Sequence, residues 1–218
     1  EVLEDWALLP RGSRREDVMD RLGVEVVKVE IHGGDAAAGV ADFLHRHRPG
    51  LLVAASHGRG GMSGWLSGSV ALAAMQRSAL PALLTGPACA AAVDPASGTP
   101  RLARVLFPVS GQPAPRAAIR AFGSLFGTPG VAPSFLHVLE TPDGAAAIRG
   151  LVPGVEVVTG DAVPAILAAA ERLRAELIVM PTEGSHGFMD ALRGSTTQQV
   201  LRQAACPVLA LPSGASPD

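Results

Sequence analysis

Tyrosine is absent from the 218-residue sequence and lysine occurs once, at Lys28. The remaining aromatics are six Phe and two Trp, and the formal net charge is −2 with a pI near 6.3. A chain so poor in stacking side chains and with no basic excess lacks the electrostatic footprint of a nucleic-acid binder. The single lysine stands in no glycine-rich loop, so the Gly-Lys-Ser/Thr ending of a P-loop is missing and P-loop NTPase chemistry is excluded. Cys89 and Cys206 are isolated, with no Cys-x-x-Cys between them, which points to inert thiols in a reducing, cytoplasmic setting. No uninterrupted apolar run approaches the ~18 residues that a membrane span needs, and no signal-peptide layout opens the chain. A membrane is therefore not an expected partner.

What the chain does have is a globular composition, 48% apolar and 17% charged. It also has five glycines from Gly58 through Gly68, directly after the apolar run 51–55. Glycine in a connection costs conformational entropy and is used where the backbone turns sharply or a ligand approaches it closely.

The same pattern occurs twice. Residues 34–81 lie without a gap on residues 160–207, at an offset of 126 residues that carries Gly58 onto Gly184 and Pro81 onto Pro207. In the first copy the order is strand 24–31, helix 35–47, strand 51–55, glycine loop, helix 69–79 and strand 81–85. The second copy reads as strand 155–159, helix 161–174, strand 177–181, loop, helix 195–204 and strand 207–211. The second copy has in addition a strand at 104–110, a helix near 114–126 and a strand at 134–140. The first copy has only a helix-like piece in residues 1–22, so as supplied it is N-terminally incomplete. Short apolar strands alternating with helices predict an α/β fold of two tandem, doubly wound parallel sheets, the second five-stranded. The expected units are residues 1–86 and 101–212, joined by the small, aperiodic linker 87–100.

In open parallel sheets ligands collect beyond the carboxyl ends of the strands, where helix N-termini present unpaired N–H groups to anions. The first glycine loop has that position. Ser69 reads as the N-cap of the following helix, with Gly68 leaving room for a phosphate at the Gly68, Ser69 and Val70 amides.

At these residues the chain resembles the universal stress protein family. The nucleotide-binding members of that family carry Gly, two residues, Gly, nine residues and then Gly-Ser/Thr after the fourth strand. Gly58, the nine residues 59–67 and Gly68-Ser69 match that pattern, and so do Gly184, residues 185–193 and Gly194-Ser195. The endings "LPALLTGP" and "CPVLALP" are similar to the family's last strand. The resemblance implies adenine nucleotide alpha hydrolase-like sheets of order 3-2-1-4-5, a cleft for ATP or AMP, with Mg accompanying ATP, pairing of the two domains through their last strands within the chain, and a homodimer. Carried onto this sequence, the implied nucleotide-binding residues are Ala55, Ser56, His57, Gly58, Arg59, Gly68, Ser69 and Val70 in the first copy. In the second they are Gly184, Gly194, Ser195 and Thr196, with Val138 where the family's base-contacting valine falls.

The chain departs from the family pattern at four points. The first motif glycine is Ala55 in one copy and Pro181 in the other, and both put atoms where a nucleotide would lie against bare backbone. Ser110 falls where nucleotide-binding members have an Asp at the end of the first strand. Glu183 replaces the counterpart of His57 and brings a carboxylate toward any phosphate. Ser195 and Gln198 form a capping box, so that helix start can satisfy its own amides.

Other motifs point nowhere specific. The run from Gly58 is one residue short of a dinucleotide GxGxxG and follows a late strand, and Ser63 lacks the glycine a nucleophile elbow requires. His45 and His47 sit two apart on a helix and face differently, against a metal pair. His57 and His186 lie in the glycine loops, where local hydrogen bonding competes with phosphate contact; Arg59 and Arg193 flank those loops and are equally well placed as solvated side chains. No acid–base pair or activated nucleophile can be assembled, so any ATP hydrolysis is expected to be slow. The expected function is that of a cytoplasmic stress-response or regulatory protein using adenine nucleotide. The alternative is a nucleotide-free interaction module with relic loops.

Overall fold

In a computed structural model of the chain, the structure describes residues 2–31, 35–55, 80–86, 88–90, 92–110, 115–127, 130–140, 145–182 and 196–212. The elements, in order, are α1 (Val2–Asp5), α2 (Arg15–Leu22), α3 (Ala36–His47), β1 (Leu52–Ala55), β2 (Ala82–Thr85), β3 (Arg104–Pro108), α4 (Pro115–Phe126), β4 (Ala132–Leu139), α5 (Ala145–Leu151), β5 (Glu156–Thr159), α6 (Ala162–Arg172), β6 (Leu177–Thr182), α7 (Thr196–Gln203) and β7 (Val208–Pro212).

Helix boundaries follow local chemistry. Asp161 caps α6 by accepting a hydrogen bond from the Val163 amide at 3.2 Å. Pro164 is harmless there, because a first-turn residue has no intrahelical N–H partner to lose. Val163, Ile166, Ala169 and Ala170 recur at helical spacing and form its buried stripe. Pro115 opens α4 for the same reason, and Gly23, at φ 65°, closes α2 in the left-handed region.

The strands form one seven-stranded sheet of order β1-β2-β7-β6-β3-β4-β5. All neighbours are parallel except β2 and β7, which pair antiparallel with Ala82 opposite Ala210 and Leu83 opposite Leu209. From β5 to β7 the sheet has the expected 3-2-1-4-5 arrangement, and the last strands at 82–85 and 208–212 join the two repeat copies into a single sheet instead of two separate ones. The antiparallel pair leaves neither terminal strand with an exposed edge at the junction.

Helices α6 and α7 cover one face, packing Ile166, Ala169, Val200 and Leu201 on Leu106, Leu136, Ile178 and Val208. Helices α4 and α5 cover the other, with Ala118, Phe122, Ile148 and Val152 on Phe107, Val179 and Leu209. Strands β6 and β7, buried on both faces, read as continuous apolar runs for that reason.

The expected strand at 24–31 is not formed. Residues 24–31 have no strand partner among the described residues, and Val24, Val26, Val27, Val29 and Ile31 are all exposed. The cause is topological. The counterpart strand in the second copy, β5, is held by β4, which is held by β3. Residues 2–22 supply two helices and a turn, and among the described residues no such pair stands beside 24–31. The same deficit shows at β1: Val53 is 65% exposed, whereas Val179, its repeat counterpart, is fully buried under α4 and α5. Helix α5 is present without having been anticipated. Residues 92–100, expected as a plain linker, are ordered by Asp94. Its Oδ1 accepts from the Ala96 and Ser97 amides and its Oδ2 meets Arg101 at 3.1 Å. Trp6 donates its indole N–H to the Pro95 carbonyl at 2.8 Å, resting on Gly98.

Candidate functional site

Where a doubly wound sheet reverses direction, two strands diverge at their carboxyl ends and leave a crevice. Here that point lies between β3 and β6, which are neighbours in the sheet although α4, β4, α5, β5 and α6 intervene in the chain. The carboxyl ends of β3, β4 and β6 open onto one edge, and α7 begins at that edge after returning from β6.

The residues at the edge are Ser110 after β3, His137 and Val138 in β4, Pro181 and Thr182 in β6, and Thr196 as the first residue of α7. The His137 Nδ1 is 2.6 Å from the Val109 carbonyl, so Nδ1 carries the proton and donates, which fixes the ring and leaves Nε2 available. The Val109 amide in turn donates to Leu136 at 2.8 Å, tying the ends of β3 and β4 together. Val138 is half-buried and packs with Val158 against the core below α6. It offers an apolar floor, as a base contact requires. Ser110 is exposed, and no carboxylate stands in its place.

Pro181 is inside β6, opposite Leu211, and half-buried. Its ring takes the place of a main-chain N–H and stiffens the strand at the crevice. Thr182, the next residue, is only 3% exposed, and its Oγ1 has no hydrogen-bond partner among the described residues. A hydroxyl left in that state costs about 1–3 kcal/mol. Sequence reasoning passed over Thr182 although the 126-residue repeat aligns it with Ser56, a named site residue; the repeat itself was the signal.

In the first copy Ala55 ends β1, exposed and paired with Thr85. Strand β1 is the edge of the sheet, so the crevice that β3 makes beside β6 has no counterpart beside β1 among the described residues. Ser56, His57, Gly58, Arg59, Gly68, Ser69 and Val70, and in the second copy Glu183, Gly184, His186, Arg193, Gly194 and Ser195, lie outside the described residues. At the start of α7, Thr196 is half-buried, and Thr197 and Gln198 are buried.

Burial, helped by the nearby Cys89, pushes the Cys206 thiol up to about 12, and burial also raises Cys89. Among the described residues no group of three or more His, Cys, Asp or Glu could hold a metal ion, and no helix is long and apolar enough to cross a membrane.

Comparison with known proteins agrees with this architecture. A universal stress protein from Archaeoglobus fulgidus DSM 4304 superposes at a TM-score of 0.67 with 22% identity, over 90% of this chain and 74% of that one. A putative universal stress protein from Pseudomonas aeruginosa UCBPP-PA14 superposes at 0.58 with 16% identity, over 90% and 76%. A third structure, a universal stress protein in complex with cAMP, overlaps 51% of this chain and 97% of that one at a TM-score of 0.41 and 20% identity, and the nucleotide is a property of that structure. Among curated proteins none matches. The sequence model of the universal stress protein family matches residues 3–85 and 143–212, well over half of the sequence. A seven-stranded sheet joined through its last strands, a doubled glycine-loop repeat and that match together mean that the chain belongs to the universal stress protein family.

Proposed function

We propose that the chain is a stress-response or regulatory protein that takes an adenine nucleotide, ATP or AMP, at the crevice between β3 and β6. The observation that supports the reading is the switch point itself, kept in the second half with Val138 as an apolar floor and, at the end of β6, the buried Thr182 hydroxyl without a partner among the described residues. In this reading the base lies near Val138 and the phosphates toward Gly184, Gly194, Ser195 and Thr196. Mg would enter with ATP through its phosphate oxygens. The repeat units 1–86 and 101–212 then divide the work: the second carries the ligand crevice and the first extends the sheet and carries Gly58, Gly68 and Ser69 as a second phosphate loop.

A second reading, a nucleotide-free interaction module, is favoured by Pro181 inside β6 and by a hydroxyl at Ser110 where the family's nucleotide-binding members carry an Asp. Mass spectrometry of small molecules released from the denatured protein, followed by calorimetric titration with ATP and AMP, separates the two. Stoichiometric adenine nucleotide supports the first; nothing released and no heat supports the second. Gly194→Val against Gly68→Val then assigns the heat to one loop. Slow turnover of ATP and assembly into a homodimer belong to the same proposal.

A further inference from the structure

We propose that Cys89 and Cys206 form an oxidisable pair, a modification site at which a peroxide closes a disulfide across the junction of the two repeat copies. The inference goes beyond the reading above and is independent of nucleotide.

The two cysteines are far apart in the sequence, and the β2–β7 seam brings them together. Ala82 faces Ala210 and Leu84 faces Val208 in antiparallel register, so two residues further along Gly86 comes beside Cys206. There the chain turns. The Cys89 amide donates to the Gly86 carbonyl at 3.1 Å, and the Ala90 amide donates to the Ala205 carbonyl at 2.8 Å. A trans peptide puts the Cα of Cys89 on the same side as the Ala90 N–H, and the Cα of Cys206 on the same side as the Ala205 carbonyl oxygen. That one hydrogen bond therefore holds the two Cα atoms within about 7 Å of each other. Disulfides span about 4.4–6.8 Å between Cα atoms, so the pair stands at bridging separation.

The electrostatics agree: Cys89 adds to burial in raising the Cys206 thiol, an effect that only a near neighbour exerts. Packing does not demand the pair either. Leu80 stands at the repeat counterpart of Cys206, and Cys89 lies, half-buried, in the segment between the copies.

Cys89 is the more open of the two and the one an oxidant reaches first. Its thiolate attacks one oxygen of hydrogen peroxide, breaks the O–O bond and becomes a sulfenic acid, releasing hydroxide. The Cys206 sulfur then displaces the sulfenic hydroxyl, which leaves as water with the Cys206 proton as the S–S bond forms. Two thiols lose two electrons and one peroxide becomes two waters. Burial keeps both thiols protonated at neutral pH, so the first step is slow and the pair answers a sustained oxidant, not a brief one. Once closed, the bridge fastens the junction where Gly86 already passes against the Leu201 carbonyl.

The test exposes the full, folded chain to hydrogen peroxide, alkylates the remaining thiols under denaturing conditions and measures intact mass without reductant. The wild type should lose about 2 Da, take up no alkylating reagent and yield on proteolysis a peptide that joins Cys89 to Cys206, all reversed by dithiothreitol. The bridged chain should melt at a higher temperature than the reduced one, because the bridge closes a long loop in the unfolded state. Cys89→Ser and Cys206→Ala should each abolish the mass loss, and Cys89→Ser, outside the core, carries the test if Cys206→Ala does not fold. A wild type that gains oxygen, stays fully alkylated or links two separate chains overturns the proposal. A bridged chain with no rise in melting temperature overturns the bridge's hold on the seam.

Discussion

Ala82 of β2 lies directly opposite Ala210 of β7, both fully buried, at the antiparallel seam that makes one sheet of two repeat copies. Both side chains are fully buried, so added methylenes there have to displace their neighbours. Ala82→Leu is expected to cost about 1–3 kcal/mol by overpacking, read as a lower denaturation midpoint in chemical unfolding. A midpoint equal to that of the wild type would show that the seam is looser than the structure draws it.

Gly86 follows β2 and passes so close to the Leu201 carbonyl, at the end of α7, that an added Cβ would collide with backbone. Backbone cannot swing aside as a side chain can. Gly86→Ala should therefore destabilise by at least about 1–3 kcal/mol, measured by calorimetry. Gly39→Ala, which meets only the Ile31 side chain, should be the milder of the two.

Burial pushes the Cys206 thiol up to about 12 in the fold, whereas an unfolded thiol ionises near 9.0. Between those values the unfolded state binds fewer protons, so this group's contribution to stability falls as pH rises from 9 and levels off once the folded thiol also ionises. Cys206→Ala should flatten that part of the stability–pH curve. A thiol reagent should spare Cys206 at neutral pH in the folded protein and label it on unfolding.

Pro181→Gly combined with Ser110→Asp restores the family's bare backbone and carboxylate at the β3–β6 crevice. One charge-assisted hydrogen bond in such a site is worth about 1.5–3 kcal/mol. Calorimetric titration should show AMP affinity at least about tenfold tighter than wild type, since each 1.4 kcal/mol is a factor of ten. Unchanged affinity would mean that the crevice is not where nucleotide is read.

Much of the second half was legible because its signals are local. The cap at Asp161, the apolar stripe of α6 and the unbroken runs of β6 and β7 each state their own structure. Helix α5, with only seven residues, "AAAIRGL", is too short for periodicity to reveal. The candidate site was legible as a motif through the 126-residue repeat. The geometry of Val138, His137 and Thr182 around it was not, since these come from strands far apart in the chain.

The sequence by itself determined that this is a doubled α/β chain of the universal stress protein kind, because binary pattern and glycine spacing are written along the backbone. Tertiary structure alone decided the fate of equal patterns. Residues 24–31 and β5 both read as strands, yet only β5 has β4 beside it, and Val53 is open where Val179 is sealed. A strand is a pairing, and whether a partner lies alongside is a fact about the whole sheet and not about the segment.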